Sequence, residues 1–144
     1  LKDPVIRRGD GQIAYALPRH ACLTPFSPQT AKTGLWRQAQ ILTKHGLFKV
    51  SDKIYQVRGF DVSTISFIDA GAGWIVVDPL TTNEVAAAAK RLVEEHVAKK
   101  PVLAVIYSHS HGDHYGGVLG VTTREDVQSG KTKIIAPEGF LHHA

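Results

Sequence analysis

The chain has 144 residues, 43% hydrophobic and 21% charged, proportions of one ordinary globular domain rather than of a disordered or fibrous chain. Its 17 basic and 13 acidic residues leave a net charge of +4, scattered without a basic stripe, which argues against a nucleic-acid partner. No apolar run nears the roughly 18 residues a membrane-spanning helix needs, and a single cysteine, Cys22, forbids an internal disulfide.

Leu1, in a chain without methionine, reads as a processed or trimmed end, and no signal-peptide pattern opens it. Residues 1–34 are proline-rich and aperiodic, and the stretch around Pro18, Pro25 and Pro28 predicts an extended arm. Leu35, Trp36, Ala39 and Leu42 then recur at helical spacing, which predicts a helix over 34–44 with Gly46 as its C-cap. Trp36 reads as a packing residue of that helix. Three strands follow: the alternating run 53–58, then 62–68, then 74–77, the last two joined by the turn 69–73.

The period changes at Thr81. Thr81-Thr82-Asn83-Glu84 has the spacing of a capping box with Thr81 as N-cap, and Val85, Ala89, Leu92, Val93 and Val97 form one apolar helix face. Lys99 and Lys100 suit the negative end of that helix, and Pro101 stops it. Val102–Tyr107 predicts a buried strand. A short helix near 115–119, a polar insertion over 122–131, a strand over 133–136 and a helix opening at Pro137 complete the chain. This order, β-β-β-α-β-α-β, predicts an α/β fold with a mixed sheet.

The strand at 102–107 ends in His109-Ser110-His111-Gly112-Asp113-His114. His109 and His111, two apart in an extended segment, point the same way and can grip one cation, while Ser110 points elsewhere. Gly112 is expected to allow a sharp turn. Asp113 and His114 open a helix, where neighbours diverge by about 100° and can reach a second cation. Two such ions about 3.5–4 Å apart can share one hydroxide. A polar loop that happens to be rich in histidine is the bland alternative. Spacing, and placement at the carboxyl end of a buried strand, outweigh it.

The hexapeptide matches H-x-H-x-D-H and resembles the signature of the metallo-β-lactamase superfamily. Residues 36–40, 45–48, 54–59, 73–80 and 134–140 further resemble the zinc-dependent alkylsulfatases, so the likeness runs from about 35 to 140. It implies the first half of an αββα sandwich, with 1–34 an arm and 35–144 the N-terminal half of a truncated catalytic domain. It implies hydrolysis of alkyl sulfate esters by a metal-bound hydroxide, with His109 and His111 on a first zinc and Asp113 and His114 on a second. Asp113 is also the candidate catalytic residue.

By the same analogy Asp78 orients a zinc-binding histidine; the alternative is that Asp78-Pro79 only opens a turn. The resemblance also implies a homodimer and favours a periplasmic or secreted location. Two zinc ions need about six protein ligands and the cluster offers four, so the remaining ligands are expected beyond residue 144. With half the sandwich missing, the strands are expected to leave an apolar face uncovered. A thioesterase or lactonase, an iron-dependent redox enzyme or an inactive metal-binding fragment are the competing readings.

Overall fold

The computed structural model describes residues 5–20 and 22–144; positions 1–4 and 21 of the expected arm lie outside the described residues. The short runs Val5–Arg7 (β1) and Ile13–Ala16 (β2) pair as an antiparallel hairpin. Gly11, at φ +84°, turns the chain between them, and the Asp10 carboxylate accepts from Gln12 N. Ile6, Tyr15 and Leu17 are buried in the main core, and the hairpin contacts the long helix of the chain. This part of the arm is therefore folded, not extended. Strands of three and four residues are too short to display a period, which is why composition alone suggested an arm.

The first helix, Thr33–Leu42 (α1), has no buried residue, and Leu35 is 69% and Leu42 63% exposed. It is tied down by its polar atoms: Trp36 Nε1 and Gln40 Nε2 both donate to the carbonyl of Thr24. Its cap is Thr43. Gly46, at φ +137°, instead opens a strand that the sequence reading lacked, Gly46–Lys49 (β3).

Five further strands join β3 in one sheet: Ile54–Arg58 (β4), Ile65–Asp69 (β5), Trp74–Val77 (β6), Val102–Ile106 (β7) and Lys133–Ile135 (β8). They lie in chain order, antiparallel from β3 to β6 and parallel from β6 to β8. The sheet is mixed, as the order of elements predicted. Phe67, Val76 and Val105 stand beside one another in register and are fully buried. Trp74 packs edge-on against Tyr55 and Phe67, with ring centroids 5.9 and 6.1 Å apart.

The helix Asn83–His96 (α2) closes this face, burying Val85, Ala86, Ala88, Ala89, Leu92 and Val93 in the same core. Each large side chain so buried contributes about 1.5–3 kcal/mol relative to exposure. The N-cap is Thr82, whose hydroxyl accepts from Val85 N. Thr81 is displaced from that role because its N–H and hydroxyl both donate to the Asp61 carboxylate. On the opposite face Ile54, Ile68, Ile75, Val77 and Ile106 stay partly exposed, the uncovered apolar surface expected for a single sheet.

After β7 come two 3₁₀ turns, Gly112–His114 and Val118–Gly120, in place of one short helix. The expected polar insertion holds a helix, Arg124–Gln128 (α3), capped by the Thr123 hydroxyl. Phe140–His143 (α4) ends the chain.

Candidate metal centre

β6 and β7 run parallel with Val77 beside Ile106, so Asp78 and Ser108 leave the sheet side by side at its carboxyl edge. Open α/β sheets place their ligands at this edge. Asp78 N donates to the Ile106 carbonyl at 3.0 Å, and the chain then turns sharply, with Asp78 at φ +55° and Leu80 at φ +64°. Left-handed backbone at a buried leucine costs about 1–3 kcal/mol and persists only where packing imposes it. Here packing does, since Leu80 is fully buried.

The turn aims the buried Asp78 carboxylate into the loop after β7. Oδ1 accepts from Ser108 N at 2.8 Å, and Oδ2 accepts from Ser108 Oγ at 2.7 Å and from His114 Nδ1 at 2.9 Å. Three donors offset the cost of burying the charge, each bond to a charged group contributing about 1.5–3 kcal/mol. Asp78 thus both turns the chain and contacts a histidine of the cluster.

The histidines gather around this anchor. The His109 ring lies 4.6 Å from that of His111 and 4.1 Å from that of His114, centroid to centroid. Asp113 Oδ2 is 3.3 Å from His114 Nε2, and the backbone carbonyl of Asp113 accepts from the buried Ser63 hydroxyl. All four predicted residues of the hexapeptide thus share one side of one loop. Among the described residues, no three His, Cys, Asp or Glu side chains are already closed around a common point.

The donor chemistry nonetheless fits a borderline divalent cation, since imidazole nitrogens and a carboxylate supply no soft sulfur ligand. With the Asp78 carboxylate accepting at Nδ1, the other ring nitrogen of His114, Nε2, lies 3.3 Å from the Asp113 carboxylate, a contact that either a proton or a bound cation satisfies. Nothing among the described residues hydrogen-bonds to the His111 ring, and His109 engages only Nδ1. Ring nitrogens are left available on all three imidazoles.

The glycines that shape the loop are not the one expected. Gly112 has ordinary backbone and open space where a Cβ would stand. A Cβ on Gly116 would instead lie 2.3 Å from the Thr81 carbonyl oxygen, and on Gly117 2.2 Å from that of Pro79. Gly117 N also donates to Leu80 O at 2.9 Å, locking the end of the loop to the turn after Asp78. The sequence reading missed this pair, along with Ser63 and Ser108. The adjacent glycines directly after the cluster were a visible sign, whereas Ser63, far along the chain, gave none.

A mixed sheet covered on one face by a helix, with an H-x-H-x-D-H loop at its carboxyl edge, is the arrangement of one half of the metallo-β-lactamase sandwich. The model of the metallo-beta-lactamase superfamily matches residues 58–144, and the chain belongs to that superfamily. Within it the resemblance is to sulfatases. The chain is 44% identical to the alkyl/aryl-sulfatase BDS1 of Saccharomyces cerevisiae over 98% of its own length and 22% of that protein's. It is 52% identical to a linear primary-alkylsulfatase of a Pseudomonas species, over 82% of this chain and 18% of the relative. The structure of the stereoselective inverting sec-alkylsulfatase Pisa1 from Pseudomonas superposes with a TM-score of 0.91 at 42% identity, covering 99% of this chain and 23% of that one. The chain spans about a fifth of the length of the curated relatives it matches.

Proposed function

We propose that this chain belongs to a zinc-dependent hydrolase that splits alkyl sulfate esters into alcohol and inorganic sulfate. His109 and His111 would hold one zinc and Asp113 and His114 a second. A bound zinc supplies Lewis acidity toward sulfate oxygens and acidifies a coordinated water. The chain's own contribution is orientation. Asp78 holds His114 and the start of the loop, Ser63 holds the backbone at Asp113, and Gly116 and Gly117 let the loop lie close against the turn.

The observation that carries the reading is the convergence of His109, His114 and Asp113 around Asp78 at the sheet edge. Relatives named as alkylsulfatases supply the substrate class. Four candidate ligands fall short of the roughly six that two zinc ions need, so a complete site draws on further chain. The homodimer expected from the resemblance belongs to the same proposal, and light scattering of the longer protein checks it.

Sulfate release from dodecyl sulfate with added zinc tests the activity. The 144-residue chain should be inactive, and a protein of the relatives' length that contains it should turn over. His111→Ala in that longer protein should abolish turnover. Efficient hydrolysis of thioesters or lactones with none of alkyl sulfates would replace the substrate class while keeping the metal site.

A further inference from the structure

We infer that Ser108 is a positioning residue that sets the tautomer of His109, so that one carboxylate, Asp78, decides which nitrogen two of the three histidines present. The inference rests on the metal-site reading above and concerns only this chain's own residues.

Ser108 Oγ stands 2.7 Å from Asp78 Oδ2 and 2.9 Å from His109 Nδ1. A hydroxyl has a single proton to give, and an ionised carboxylate can only accept. The proton of Ser108 therefore goes to Asp78, and the oxygen turns a lone pair toward His109. Nδ1 of His109 must then be the protonated nitrogen, which leaves Nε2 with its lone pair free. At His114 the same carboxylate oxygen accepts directly from Nδ1, at 2.9 Å, with the same consequence for Nε2.

The two imidazoles are thus fixed in the same tautomer by one group, directly in one case and through a serine in the other. Their rings lie 4.1 Å apart, so the two freed nitrogens belong to one small region. His111 has no such partner among the described residues, and its tautomer is left to whatever it binds. The hydrogen bond made by one ring nitrogen selects the other as ligand, and loss of such outer partners costs roughly 10–100-fold in metal affinity. Ser108 N also donates to Asp78 Oδ1 at 2.8 Å, so the backbone keeps the serine in place when its hydroxyl is removed.

Long-range proton–nitrogen correlation spectra of the ¹⁵N-histidine-labelled, metal-free chain read the tautomers without any metal, at about pH 8, above the ordinary histidine range. Wild type should show His109 and His114 both protonated at Nδ1. Ser108→Ala should return His109 toward the Nε2-protonated form that free imidazole side chains favour, with His114 unchanged. Ser108→Thr, which keeps the hydroxyl, should behave as wild type.

Zinc competition against a chromophoric chelator, on the chain and on the longer protein, should show Ser108→Ala weaker by about 10-fold or more and Ser108→Thr close to wild type. An Nε2-protonated His109 in wild type, an unchanged tautomer in Ser108→Ala, or a threonine variant as impaired as the alanine one would overturn the inference. Correct tautomers with no zinc binding by either protein would instead overturn the metal reading and leave the relay standing.

Discussion

Asp78 combines two features that one residue seldom carries together: a left-handed backbone at φ +55° and a buried carboxylate with three donors. The first aims the second. Asp78→Ala should remove all three acceptor contacts and lower the unfolding free energy by about 1–3 kcal/mol, which urea denaturation would measure. An unchanged midpoint would mean that solvent replaces the carboxylate freely. The glycines make a sharper pair. Gly117→Ala places a Cβ 2.2 Å from a backbone oxygen that cannot yield, and should cost about 1–3 kcal/mol. Gly112→Ala meets open space and should stay within about 0.5 kcal/mol of wild type. Equal effects of the two substitutions would refute the assignment of the close approach.

The unit β6–α2–β7 does the positioning, because its parallel strands end together and deliver Asp78 and Ser108 to one edge. Its far end is tied by Lys100, whose Nζ lies 2.6 Å from Asp69 Oδ1 and 5.4 Å from the Trp74 ring centroid. The Lys100 hydrogen bond, then that of Gly71 N, holds the Asp69 carboxyl below its ordinary value of 3.8. A depressed carboxyl stabilises the fold above its unfolded value and loses that contribution as pH falls through the folded one. The stability gap between wild type and Asp69→Asn should therefore be full at pH 7 and shrink as pH drops below 3.8. A gap independent of pH, measured by urea denaturation across that range, would assign the pair no linkage. At the other end of α2, Thr82→Ala should cost about 1 kcal/mol as the loss of an N-cap. Thr81→Ala should act instead through Asp61 by removing only the hydroxyl bond, and Asp61→Ala should destabilise further even in its presence, because the backbone N–H groups of Thr81 and Val62 still donate to that carboxylate.

Across the whole molecule, the hexapeptide, the three strands 53–58, 62–68 and 74–77, the α2 face and the mixed sheet were legible from residue order. Each announces itself through periodicity or local spacing, which depend on neighbours within a few positions. The hairpin β1–β2 and strand β3 were not, because strands of three or four residues are too short to display a period. The cap moved from Thr81 to Thr82 because Asp61, twenty positions earlier, claimed Thr81. By itself the sequence determined that an H-x-H-x-D-H loop follows a buried strand in an α/β chain. Only the tertiary structure decided that Asp78 and Ser108 lie within hydrogen-bond contact of its histidines and that Gly116 and Gly117, not Gly112, let it close on the turn. Those contacts join residues about thirty to forty positions apart, through hydrogen bonds and steric clearances that exist only once β6 and β7 lie side by side.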